Sequence, residues 1–138
     1  MHLRGKCACG KVTFEVNGEP LVQLYCHCRS CQLAHAAPVV AAAIFPAGSV
    51  TYQGDVRKVT VTGREDASRR VLCASCGTKV INEPLPSVRA VFPVLCETAD
   101  WFKPQMHVQW DDHTLDMRDE LPKFLDYPKE LGGTGNIL

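Results

Sequence analysis

Seven of the eight cysteines in this 138-residue chain lie in three tight clusters: Cys7-Ala8-Cys9, Cys26-His27-Cys28-Arg29-Ser30-Cys31 and Cys73-Ala74-Ser75-Cys76. Only Cys96 stands alone. A disulfide framework would spread its half-cystines along the chain and would need an oxidising compartment. The opening Met1-His2-Leu3-Arg4-Gly5-Lys6 has no apolar h-region and no cleavage site, so the expected compartment is the cytosol, where thiols stay reduced. Pairs at i, i+2 and i, i+3 are what a metal demands. Zinc in a tetrahedral site sits about 2.3 Å from each sulfur, so its sulfurs lie about 3.8 Å apart and the chain must turn sharply between them. Gly10 follows Cys9 and Gly77 follows Cys76, where such a turn asks for a positive φ.

Counting sharpens this. Two complete four-thiolate sites would need eight ligands, and the clusters supply seven. Cys7, Cys9, Cys73 and Cys76 form one four-ligand set that closes a long loop; Cys26, Cys28 and Cys31 leave a three-ligand set. A closed set marks a structural zinc, and three protein ligands with an open position mark a reactive one. Cys96, His27 and His35 are the candidates for closing the second site, which would make both metals structural. Cys96 lies in the apolar run Val91-Phe92-Pro93-Val94-Leu95 and reads as a small buried hydrophobe. His27 sits between two ligands and should face away from them, which leaves His35 as the best protein candidate.

No repeat, low-complexity block or linker divides the chain. The expected organisation is a single domain over residues 1–126 and a flexible tail over 127–138, where Gly132, Gly133 and Gly135 cluster. Between the cysteines the periodicity is two. Lys11–Val16 and Lys58–Thr62 alternate polar and apolar residues, and Val39–Phe45 reads as a strand buried on both faces. Shorter strands are expected at 21–25, 50–52, 70–72, 79–81, 88–92 and 107–110. The one helical signal, 119–125, is interrupted by Pro122. Many short strands punctuated by Gly and Pro indicate a mainly β fold, two small sheets pinned by a zinc.

Lys plus Arg and Asp plus Glu each number 15, and this zero net charge argues against a nucleic-acid partner. The longest apolar run, 36–47, contains two prolines and is too short for a membrane span. There is no GxGxxG, Walker or HExxH motif to support a nucleotide or metalloprotease reading.

The stretches Gly5-Lys6-Cys7-Ala8-Cys9-Gly10-Lys11-Val12, Cys26-His27-Cys28-Arg29-Ser30-Cys31 and Cys73-Ala74-Ser75-Cys76-Gly77-Thr78, with the ending Asp119-Glu120-Leu121-Pro122-Lys123-Phe124, resemble the glutathione-dependent formaldehyde-activating enzyme family, also called the centromere protein V family. The resemblance runs from Arg4 to Phe124. It implies an Mss4-like twisted β-sandwich of short antiparallel strands stapled by a structural zinc. It also implies two zinc ions per chain, one held by Cys7, Cys9, Cys73 and Cys76, the other, catalytic, by Cys26, Cys28 and Cys31. The implied activity is carbon–sulfur lyase chemistry on a thiol–aldehyde adduct such as S-(hydroxymethyl)glutathione. One departure lies beside the second site: where the family commonly has a Gly before Ala-Pro, this chain has Ala36, preceded by His35.

An open thiolate-rich zinc lowers the pKa of a thiol that enters it, which favours thiol chemistry over hydrolysis. His27 or His35 is a candidate proton carrier and Arg29 a candidate partner for a glutathione carboxylate, each weighed against an ordinary surface or core role. Asp111-Asp112 reads as a solvated turn, and Trp101, Phe102 and Trp110 as core aromatics. The competing function class is a zinc-stabilised module that binds glutathione or a partner without catalysis.

Overall fold

The structure is a computed structural model that describes residues 1–61, 63–65 and 68–138. The chain divides into two compact units. Unit 1 comprises Met1–Val22 and Ala43–Phe102; unit 2 comprises Gln23–Ala42 and Lys103–Leu138.

Unit 1 is β-structure. Strands β1 (His2–Lys6) and β2 (Thr13–Asn17) bury alternate residues, as a sheet with one face on a core requires. They pair antiparallel, and β5 (Val50–Gln53) adds on the far side of β2 to give the order β1-β2-β5. The second sheet runs β4-β9-β8-β7-β6, all antiparallel, from β4 (Val40–Pro46, whose residues from Ala43 on lie in this unit), β6 (Val56–Thr60), β7 (Arg69–Cys73), β8 (Lys79–Leu85) and β9 (Val88–Val91). Phe14 and Val16 of the first sheet share one core with Phe45, Val71, Ile81 and Val91 of the second, all nearly or fully buried. Cys7 and Cys73 belong to that same core. The alternation expected over 58–62 is realised in β6 as far as Thr60; Thr62 lies outside the described residues.

Unit 2 is smaller and more irregular. β3 (Val22–Cys26) leads into the helix α1 (Arg29–His35) and then the start of β4; after Lys103 the chain returns as β10 (Met106–Val108). β10 pairs with β3 in parallel, with His107 opposite Tyr25 and Val108 opposite Cys26. The fold is mainly β, as expected, but this pair departs from an all-antiparallel arrangement. The strands lie some 80 residues apart in sequence, and a long return can enter a sheet in either direction.

Two local expectations change. The helical signal at 119–125, interrupted by Pro122, is not realised as a helix; Lys123 forms a bridge with His107 and Phe124 one with Ile137. Pro122 removes one amide, and the Asp119 carboxylate accepts from the Leu121 amide at 2.9 Å, a turn rather than a helical bond. Residues 127–138, the expected flexible tail, are hydrogen-bonded into unit 2. The Asp126 carboxylate accepts from the Thr134 amide at 3.0 Å and its hydroxyl at 2.8 Å, and the Leu138 amide donates to the Lys123 carbonyl at 2.9 Å. The glycines there serve turns. No helix among the described residues is long and apolar enough to cross a membrane.

Candidate metal and thiol sites

The first thiol group is built in unit 1 from two near-equivalent turns. At each, the leading cysteine sulfur accepts an amide from later in the turn: Cys7 Sγ from Val12 at 3.3 Å, Cys73 Sγ from Cys76 at 3.4 Å. The leading carbonyl accepts the glycine amide, Gly10 at 3.1 Å and Gly77 at 2.9 Å. Those glycines have φ of 80° and 77°, the left-handed region that a side chain disfavours, so their placement after the clusters is a backbone requirement. Thr78 links the two turns: its hydroxyl accepts from the Ala8 amide and lies 3.1 Å from Cys76 Sγ. The result brings Cys7, Cys9, Cys73 and Cys76 together, with Cys7 to Cys9 at 3.6 Å and Cys9 to Cys73 at 3.7 Å. Hydrogen bonds from the Thr78 hydroxyl and backbone hold the Cys76 thiol down at about 5.

The second group lies in unit 2. Cys26 ends β3, Cys28 caps α1 by accepting the Cys31 amide at 3.3 Å, and Cys31 stands in the first turn of that helix. Cys26 and Cys31 sulfurs are 3.9 Å apart, and all three lie within 4.8 Å of one another. The thiols of Cys26 and Cys31 share hydrogen bonds with Cys28 and hold it as a thiolate, down at about 2; Cys26 is pushed up in return. None of the eight cysteines is in a disulfide.

Both groups fit a thiolate-bound metal: sulfurs 3.6 to 3.9 Å apart match the roughly 3.8 Å that a tetrahedral ion at about 2.3 Å imposes. Among the described residues the second group contains Cys26, Cys28 and Cys31 only. Cys96 is half-buried against the unit 1 core, with its sulfur directed to the Phe92 carbonyl at 3.9 Å. His35 closes α1, outside the group.

The surroundings of the second group were only partly visible in the sequence. His27 is fully buried, and its Nε2 lies 2.8 Å from His107 Nδ1; His107, equally buried, reaches Asp119 with Nε2 at 2.9 Å. Burial, then the neighbouring His107, pushes His27 down to about 4, so it is neutral at physiological pH. Trp110 makes T-shaped contacts with both imidazoles and stacks on His113 with centroids 4.0 Å apart. Trp110 is thus core, as expected, but core to this site. Gln32 donates from Nε2 to the His27 carbonyl at 2.6 Å and to the Asp112 carbonyl at 2.9 Å, and the Asp112 carboxylate accepts the Arg29 amide. Asp111 and Asp112 are exposed in a one-turn 3-10 helix, as a solvated turn requires, and Asp112 also ties that turn to α1. Arg29 is exposed, its guanidinium donating to Gln32.

Tyr127 is a residue that no sequence pattern pointed to. Burial, then the negative charge of Cys26 and Cys28, pushes its phenol up to about 12, with Gln109 as hydrogen-bond partner. It is half-buried, within electrostatic reach of Cys26 and Cys28. A tyrosine inside an expected tail carried no signal; the Asp126–Thr134 clamp that holds it in place is a tertiary feature.

Ala36 stands at φ 49°, ψ 45° and terminates α1 in the left-handed conformation, its amide bonded to the Gln32 carbonyl. This is a position where glycine is the usual solution, so Ala36 holds a conformation that its side chain disfavours.

The crystal structure of a Rhodobacter sphaeroides protein, a structural genomics target, is similar to this chain with a TM-score of 0.55 and 20% identity, covering 68% of this chain and 87% of that one; the likeness supports the fold. No curated protein matches the sequence. The family model described as glutathione-dependent formaldehyde-activating enzyme matches residues 2–112, a span that holds both thiol groups, and to that family this chain belongs.

Proposed function

We propose that the chain is a zinc-dependent enzyme of carbon–sulfur lyase type that makes and breaks a thiol–aldehyde adduct such as S-(hydroxymethyl)glutathione at Cys26, Cys28 and Cys31, while Cys7, Cys9, Cys73 and Cys76 hold a structural zinc. The observation that carries this reading is the contrast in ligand number, four converging sulfurs in unit 1 and three in unit 2. A zinc held by the three would supply a Lewis acid with a position open to a substrate sulfur. Cysteines that must stay reduced suit a cytosolic setting.

The chain's own groups support the two directions of one reaction. In adduct formation the glutathione sulfur attacks the formaldehyde carbon, a C–S bond forms, and the carbonyl electron pair moves onto oxygen, which takes a proton. In breakdown that proton leaves and the C–S bond returns its pair to sulfur. The Tyr127 phenol, half-buried and within electrostatic reach of Cys26 and Cys28, is this reading's candidate hydrogen-bond donor to that oxygen. His27 is fully buried with its Nε2 committed to His107, which assigns it to the support of the site and not to proton transfer with substrate. The aromatic and glutamine ties around Trp110 and Gln32 hold the three sulfurs in place before substrate arrives.

The test is exchange between ¹³C-formaldehyde and its glutathione adduct, followed by NMR with zinc-loaded protein. Wild type should accelerate the exchange and Cys28→Ser should not. Saturable glutathione binding without acceleration would favour the non-catalytic binding module instead.

A further inference from the structure

Tight metal and thiol sites need more than ligands at the right spacing; the segment carrying them must be held so that the sulfurs face one way. Cys26-His27-Cys28 is extended, with Cys26 ending a strand and Cys28 at φ −60°, ψ 143°. In extended chain, neighbouring side chains point to opposite sides, so residues 26 and 28 share the side that residue 27 avoids. Anchoring His27 inward therefore turns both cysteines outward together.

The anchor is a chain of two buried imidazoles ending on a carboxylate. Asp119 can only accept, so His107 donates from Nε2–H at 2.9 Å. In the tautomer with its hydrogen on Nε2, His107 offers Nδ1 as the acceptor for His27 Nε2–H, the two nitrogens lying 2.8 Å apart. That leaves His27 Nδ1 as a bare lone pair. This atom is buried and has no hydrogen-bond partner among the described residues, and an unsatisfied acceptor there is more tolerable than an orphaned N–H. Lys123 steadies the outer end, 3.4 Å from Asp119 and over the Trp110 ring. On the main chain, the His27 amide donates to the Val108 carbonyl and Gln32 donates to the His27 carbonyl, so backbone and ring are both fixed.

We propose that His107, oriented by Asp119, is a positioning residue for the Cys26/Cys28/Cys31 site: it fixes the tautomer and rotation of His27 and thereby aligns the two flanking thiols. This rests on reading those cysteines as a metal site.

The test uses the full chain loaded with cobalt or cadmium, and it separates the two nitrogens of His107. Asparagine places its side-chain oxygen where Nδ1 was and can still accept from His27; glutamine places its amide where Nε2 was and keeps only the Asp119 end. His107→Gln should weaken metal binding at the three-cysteine site by about 10- to 100-fold, the range for loss of a supporting shell, and alter its thiolate charge-transfer spectrum. His107→Asn should recover most of that loss. The four-cysteine site should be unaffected in both. Asp119→Asn, a change at a partly exposed carboxylate, is the companion should either His107 variant fail to fold, and should weaken the same site. In wild type, long-range ¹H–¹⁵N spectra should show Nε2–H and bare Nδ1 on both His27 and His107. Equal metal affinity in His107→Gln and wild type, or an Nδ1–H on either ring, would overturn the positioning role while leaving the metal site standing. A wild-type chain that takes up one ion only would overturn the metal reading itself.

Discussion

The two thiol groups are built from the same residue type by opposite strategies. In unit 1, four sulfurs come from two turns 64 residues apart, each turn stabilised by its own backbone: a sulfur accepting an amide, a carbonyl accepting a glycine amide, a glycine at positive φ. Thr78 and the sulfurs themselves join one turn to the other, so an ion held by the four would be a further staple between them. In unit 2, three sulfurs come from six consecutive residues, and the work of holding them falls to partners that are not ligands: His107, Trp110, Gln32, Asp112 and Asp119. A site that closes a long loop contributes to folding; a site assembled locally and braced from outside is free to keep a position for substrate. The difference in bracing is therefore the structural counterpart of the difference in ligand number.

Substitution should separate the two most sharply at the ligands. Cys73→Ser removes a sulfur from the long-range site, and because a structural zinc supplies on the order of 10 kcal/mol, comparable to the whole stability of a domain, the chain should lose its β-sheet circular dichroism. Cys28→Ser should instead cost one equivalent of metal and all exchange activity while the spectrum of the folded chain persists; unfolding as complete as that of Cys73→Ser would erase the distinction between the sites. The bracing is probed by Gln32→Ala. It strips the His27 and Asp112 carbonyls of their shared donor, at a cost of about 1 to 3 kcal/mol, and hydrogen exchange should quicken in unit 2 amides and stay unchanged in unit 1. The smallest effect belongs to Ala36→Gly. Relief of a left-handed alanine, offset by the greater freedom of glycine in the unfolded chain, should stabilise by about 0.5 to 1 kcal/mol, seen as a small rise in melting temperature.

These contrasts also mark what could be read from residues alone. The strand periodicity of 13–17 and the buried run of 40–46 were readable because one face or both meet a core, and the thiol partition because sulfur count and spacing are arithmetic. The short helix α1 was not: seven residues carry too little periodicity, and its cap is a cysteine rather than a serine or aspartate. His107, Asp119 and Tyr127 were missed as site residues for a single reason. His107 and Asp119 support His27, and Tyr127 lies within electrostatic reach of the thiols, all from the returning segment, through a parallel strand pairing and a clamped terminal loop that no local pattern encodes. The ending 119–124 was noticed only as part of a family likeness; its physical meaning is a carboxylate for His107 and an ammonium for Trp110.

The central claim is that the three-cysteine site accepts a sulfur from outside while the four-cysteine site does not. Chain loaded with ¹¹³Cd and titrated with glutathione tests it directly. The account predicts two cadmium resonances, of which one moves with added glutathione and is lost in Cys28→Ser, while the other stays in place throughout. Two resonances that both ignore glutathione, or a single resonance in the wild-type chain, would contradict it.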